Sequence, residues 1–492
     1  MEEIGRTLQK SGRRALTPLV RKLWREKNGE LISKYAYLLD FFEDEGWVEQ
    51  LVQIALKRRD LGDEGKSALL AALQNTGIDI TVPPFTAILD GLGGIFRERL
   101  PLLLEKGEEG ALAFLDEFVY SSPEARRAMI RDLATVADPR VLSLFEILLR
   151  FDSQPTVKES LLALGRVRMP GAATLLQMFR HEGEPALVDA AERSLRRLRF
   201  LGIEPDRTSP DEEYFQFYRA SATPLDGAGN RAVRISRWRE DQRIDTLILM
   251  LNDVKGVRDA YGYTALTAEE TDELSAETGE ELNFVEVASD YALVLIRDAL
   301  FRSKGAEFPL PPDYYLYLRM FRCDELKPAA NVPTFAGYDL ERLAVSAEMT
   351  ADSAALLDDD CFDEWFLGDR RIYDVAEAWN RLEEEGEQDL AGEFELLIER
   401  CCSDIVVDSL HSITRRLFLT ADFILQSGRS QSVVEKALAT AIQLADWKLP
   451  LHLHPFIRRY VLESIQAARE ALAEGYDIRR YPDDDEDFES WD

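Results

Sequence analysis

The chain carries only four histidines, His181, His411, His452 and His454, so any chemistry that needs an imidazole must use one of them. His452 and His454, in LHLHPF, could offer two ring nitrogens to a metal. Asp408 and His411 stand at i, i+3, which puts both on one helical face. A carboxylate-bridged metal bundle needs that pairing twice with glutamate, and here it occurs once with aspartate. The sequence therefore calls for no metal and no cofactor. Glu393, Glu395, Glu399, Asp404 and Asp408 form an acidic helical series that could do general acid and base work if burial raised a carboxyl pKa; in so acidic a region it reads as a solvated face. The cysteines, Cys323, Cys361, Cys401 and Cys402, all fall late in the chain. Their spacing fits neither a zinc knuckle nor a disulfide framework, and the adjacent pair is too close for an unstrained bridge, so they read as buried reduced thiols. No GxSxG elbow, GxGxxG turn or phosphate-binding loop is present; LDGLGGIF lacks the lysine and the strand that a phosphate cradle requires and reads as a loop. Catalytic residues cannot be assigned from these patterns.

Charge narrows the field further. The 492 residues have a formal net charge of −32. Residues 1–203 contain 29 Lys plus Arg against 30 Asp plus Glu, and residues 204–492 contain 30 against 61, so the first part is nearly neutral and the second stands at −31. A negative field repels phosphate backbones, which disfavours nucleic-acid binding and favours basic partners for the second part. The start, MEEIGRTLQK, resembles neither a secretory signal nor a transit peptide, and no apolar run approaches the ~18 residues of a spanning helix. The expectation is a cytoplasmic protein without membrane insertion.

The elements that would position functional groups show themselves as a repeat. Segments beginning at Ser122, Gln154 and Glu184 align so that Pro123, Pro155 and Pro185 fall 32 and 30 residues apart. Each proline is expected to open a helix, because its missing N–H has no partner in a first turn. Apolar residues follow at helical spacing: Ala125, Met129 and Leu133; Val157, Leu161 and Leu164; Leu187, Ala191 and Leu195. Shorter partner helices, with Pro139 and Pro170 separated by 31 residues, lie between them. A helical hairpin is thus repeated, and weaker copies run upstream through GELISKYAYLLDFFEDEGWVEQLVQIAL and DEGKSALLAALQNTGIDITVPPFTAIL.

The Asp-Pro-Arg opening of one helix and the x-Pro-x-Val-Lys opening of the next resemble the short HEAT repeats found also in phycobilisome-lyase-like proteins, most closely over residues 122–202. That resemblance implies protein–protein scaffolding, with catalysis occasional. Hairpins of this kind must stack to bury their apolar faces, and a stack offers a curved inner surface. Arg126 and Lys158 occupy equivalent positions, as do Arg131 and Arg193, with Arg196 and Arg197 following. They are candidates for partner binding, set against structural ladders in which each base pairs with an acid of a neighbouring repeat.

Beyond Gly202 the period ends in IEPDRTSPDEE, which reads as a linker. The segments 214–220, 231–238 and 244–251 are short, partly alternating and separated by turn residues, and read as a small antiparallel sheet with Arg231, Arg234, Arg237 and Arg239 beside it. Helical character returns near Thr267 and persists. The expected fold is mostly α: a HEAT-type α-solenoid over 1–203, a small α+β segment of about three strands over 204–282, an acidic helical domain over 283–480 and a disordered acidic tail over 481–492, whose last ten residues hold seven carboxylates. The functional expectation is an interaction scaffold or adaptor that binds a protein through the concave solenoid surface. A second reading is an enzyme or enzyme subunit, for example a chromophore-lyase-like protein, whose solenoid recruits the substrate protein.

Overall fold

A computed structural model describes residues 2–10, 13–39, 41–42, 46–58, 61, 63–76, 78, 80, 84–85, 93–206, 216–304, 309–385 and 390–480. The chain divides into two compact units, Met1–Ser209 and Pro210–Asp492. The acidic tail, the first half of LDGLGGIF and most of IEPDRTSPDEE lie outside the described residues, while the second half of LDGLGGIF, expected as loop, begins a helix at Gly93.

The first unit is helical. Its described helices are α1 (Glu2–Lys10), α2 (Arg13–Leu23), α3 (Gly29–Leu39), α4 (Gly46–Lys57), α5 (Asp63–Asn75), α6 (Gly93–Glu105), α7 (Glu108–Val119), α8 (Pro123–Leu133), α9 (Val141–Leu148), α10 (Gln154–Leu164), α11 (Pro170–Glu182) and α12 (Val188–Phe200). From α6 onward helices pack on the next and the next but one in sequence: α6 meets α7 and α8, α8 meets α10, α9 meets α11, and α10 meets α11 and α12. The apolar positions expected from the spacing are buried, apart from half-buried Ala125.

The prolines divide by role. Pro123 begins α8, where the Ser122 hydroxyl accepts from the Ala125 N–H, and Pro170 begins α11. Pro155 sits one residue inside α10. Pro185 opens a 3₁₀ turn that leads into α12, and Pro139 lies in the turn before α9, so these two bend the chain toward a helix rather than start one. Both serve the same physical end, since a ring that fixes φ and lacks an N–H fits any tight entry.

The second unit is built on a five-stranded antiparallel sheet, two strands more than expected. Its strands are β1 (Phe217–Ala222), β2 (Asn230–Trp238), β3 (Ile244–Asn252), β4 (Gly256–Leu266) and β5 (Val285–Glu286), in the order β4-β3-β2-β1-β5. β4 is hidden in sequence by its glycines and charges, yet it pairs along β3 with a bulge beside Met250. Gly256 enters it at φ +85°, where an added Cβ would meet Ser303 Oγ at 2.2 Å.

Between β4 and β5 runs α13 (Ala268–Leu282), begun by a capping box in which the Thr267 hydroxyl accepts from the Glu270 N–H while the Glu270 carboxylate accepts from the Thr267 N–H. α14 (Ser289–Ser303) packs across β1 to β4, and α15 (Pro312–Tyr317) packs on β3 and β4. Short helices α16 (Leu340–Ala344) and α17 (Ala347–Ala351) precede five more: α18 (Arg371–Glu385), α19 (Leu390–Cys401), α20 (Val407–Gln426), α21 (Gln431–Ala445) and α22 (Pro455–Ala473). α14 buries a face of the sheet, and the strands and the later helices belong to one unit. No described helix is long and apolar enough to cross a membrane.

Candidate functional site

The six basic residues singled out in sequence are dispersed among different local roles. Arg126 is inward-facing: its guanidinium lies 5.6 Å from the Phe118 ring centre and 5.9 Å from that of Phe151. It donates from Nε to the Phe118 carbonyl at 2.8 Å and from a terminal nitrogen to the Val119 carbonyl, so it closes the carboxy-terminal end of α7. Lys158, its equivalent in α10, is exposed, and the correspondence in sequence does not extend to environment.

Arg131 of α8 reaches Glu159 of α10 at 3.6 Å, an ion pair between equivalent helices of adjacent repeats. Arg193, which occupies the matching position in α12, instead donates to the carbonyl of Asp189 in its own helix at 3.1 Å. Arg196 faces Glu192 at 3.5 Å one turn back, and Arg197 is exposed and meets no carboxylate among the described residues. Five of the six are exposed, Arg131 on α8, Lys158 on α10 and Arg193, Arg196 and Arg197 on α12, so α12 alone carries several of them together.

The metal and acid–base constellations separate in space. His454 is fully buried, edge-on to Trp447 with ring centres 4.8 Å apart, and neither of its ring nitrogens has a hydrogen-bond partner. Asp408 accepts from Arg371 at 3.0 Å while His411 is exposed. Among the described residues no three His, Cys, Asp or Glu side chains come together as metal ligands would. Within the acidic series, Glu395 accepts from both terminal nitrogens of Arg458, at 2.7 and 2.5 Å, which holds its carboxyl below the usual range. A general acid needs the opposite shift. Cys361, Cys401 and Cys402 are buried, and burial pushes each thiol up to about 12; Cys323 is exposed, a departure from the expectation of four buried thiols.

A buried polar network around β2 escaped the sequence pattern. Arg231, Arg234 and Arg237 lie within β2, not beside the sheet, and all three are buried. Strand alternation sends Arg231 and Arg237 to one face and Arg234 to the other. Arg237 is forked onto Glu325 at 2.9 and 3.1 Å, donates to the Met320 carbonyl at 2.8 Å and stacks 3.7 Å from the Phe217 ring centre. Arg234 donates to Ser221 Oγ at 3.1 Å and lies 4.5 Å from the Phe284 ring centre.

On the Arg231 face the sheet is tied to α14 and α20. Arg231 lies over Phe423 at 5.4 Å, and the Tyr291 hydroxyl donates to Asp422 at 3.1 Å. Burial raises both the Asp422 carboxyl and the Tyr291 phenol. Arg415 donates to the Asp253 carboxylate at 2.6 Å and lies 3.6 Å from Asp298, and Arg416 binds the other oxygen of Asp253 at 3.2 Å.

Arg416 also donates to the carbonyl of Gly227 in the β1–β2 connection. That connection is held further by Trp365, whose indole N–H donates to the Leu225 carbonyl at 2.8 Å. Tyr291 and Asp422 are only 7% and 5% exposed, out of reach of a solute, so this network braces the fold. Its signal in sequence was three arginines at a spacing of three inside a strand, a pattern that must drive charge into both faces.

Against known proteins the chain matches no family model, no curated protein and no solved structure. Function therefore rests on the residues themselves.

Proposed function

We propose that this protein is a protein-binding scaffold or adaptor whose first unit is a HEAT-type solenoid. The observation that carries the reading is the packing of α6 to α12, in which helices meet the next and the next but one in sequence, the pattern a stack of hairpins would give. The proline period of 30 to 32 residues and the inter-repeat pair Arg131–Glu159 support it. The partner is a protein rather than a nucleic acid, because the first unit has no net positive field and the second is strongly negative.

Affinity capture from the source cell with the intact chain, followed by mass spectrometry, tests the proposal. A partner recovered in stoichiometric amount supports it. A chain that emerges alone at physiological ionic strength overturns it.

A further inference from the structure

We infer that the last two turns of α12 form a docking stripe for an acidic peptide segment that carries an apolar side chain; this rests on the scaffold reading above and names its partner chemistry. Arg193, Arg196, Arg197 and Phe200 stand at i, i+3, i+4 and i+7, so they share one helical face. That face is turned outward, since Ala191, Ser194, Leu195 and Leu198 occupy the buried one.

After Glu192 the helix carries four arginines, with Arg199, and no acid. Cations at a helix carboxy terminus complement the backbone dipole, which by itself accounts for bases there. It does not account for the aromatic ring at their end. Phe200 is 92% exposed and Leu201 is 47% exposed, an apolar pair in water immediately beside the guanidinium groups.

The local hydrogen bonding leaves the stripe available. Arg193 uses Nε on the Asp189 carbonyl, which leaves its terminal nitrogens outward, and the Arg196–Glu192 pair is between side chains 72% and 43% exposed. Such a pair exchanges readily for another carboxylate. Guanidinium forks select planar carboxylates, and the Phe200–Leu201 pair selects a segment whose acids are interrupted by an aliphatic or aromatic residue.

The test uses the full chain and a short fluorescein-labelled peptide of aspartate and glutamate interrupted by leucine, read by anisotropy. A lysine-for-acid peptide and single-stranded DNA serve as competitors. The expected result is binding at least about tenfold tighter than to the lysine peptide, lost in the R193E/R196E/R197E variant and weakened in Phe200→Ser. All four positions are exposed, so wild-type circular dichroism is expected, with a melting point lowered modestly by acids at the helix carboxy terminus; Arg197→Ala alone serves if the triple variant does not fold.

Equal binding by wild type and triple variant overturns the inference. So does tighter binding of DNA, which would assign the stripe to nucleic acid, or a concentration-dependent dimer dissociated by Phe200→Ser, which would assign it to a second copy. Capture of a stoichiometric partner by the triple variant would overturn the stripe and leave the scaffold reading standing.

Discussion

Arg237 lies within 3.7 Å of the Phe217 ring centre while both its terminal nitrogens reach Glu325, so a guanidinium only 1% exposed is held between an aromatic face and a carboxylate. Burial lowers its pKa and Glu325 opposes that shift. Removing one partner of such a pair strands the other charge. Glu325→Leu is expected to destabilise the second unit by about 3–5 kcal/mol. Arg237→Met with Glu325→Leu is expected to recover much of that loss, measured by urea denaturation as a double-mutant cycle. Additive single effects would show that the pair is not coupled.

His454 predicts a specific acid sensitivity. Its imidazole is buried without a hydrogen bond, and desolvation lowers its pKa from 6.5 to about 4. Below about pH 6.5 the unfolded chain takes up a proton that the folded chain refuses, so stability falls as pH drops from 6.5 toward 4, by up to about 3 kcal/mol. His454→Leu is expected to remove that part of the pH dependence while leaving carboxylate titration at lower pH in place. Equal slopes for wild type and variant between pH 6.5 and 4.5 would refute it.

Gly229 separates backbone strain from packing. It sits at φ +90°, and a Cβ there would lie 2.0 Å from Asp253 Oδ1 and 2.8 Å from a terminal nitrogen of Arg416. Gly428, after α20, has φ +69° with nothing within 4 Å. Gly428→Ala is expected to cost about 1 kcal/mol, the conformational penalty alone. Gly229→Ala is expected to cost at least about 2 kcal/mol more, because it must displace a buried ion pair. Urea midpoints of the two variants decide the comparison.

Arg131 and Glu159 provide a contrasting case, since their side chains are 54% and 26% exposed. A double-mutant cycle is expected to give a coupling of about 0.2–1 kcal/mol that shrinks with added salt. A larger, salt-insensitive value would mean that this repeat-to-repeat pair is desolvated.

Thiol chemistry should follow burial. Cys323 is expected to react rapidly with an aromatic disulfide reagent in the native protein, and Cys361, Cys401 and Cys402, with pKa values pushed up to about 12, only after unfolding. Mass spectrometry of the labelled peptides reads the order directly.

The sequence by itself determined the features that rest on local rules. Period-3.6 apolar spacing and proline punctuation located α8, α10 and α12, and Met129, Leu133, Leu161, Leu164 and Leu195 are buried as that spacing requires. The same rules placed β2 and β3 closely, because alternation and turn residues bound both strands. They missed β4 because Gly256, Gly262, Arg258 and Asp259 depress strand propensity, and pairing with β3 along its length outweighed that local preference.

Only the tertiary structure decided what the charges do. Arg126 and Lys158 align in sequence, yet one caps a neighbouring helix beneath two aromatic rings and the other is exposed, since their environments come from different helices. Arg231, Arg234 and Arg237 read as ordinary bases near a sheet, and partners as far off as Glu325, Tyr291 and Phe423 made them its interior. A side chain's own residue type fixes its charge, but desolvation and the placement of its counter-charge depend on chain segments distant in sequence, so its energetic role is settled only when those segments meet.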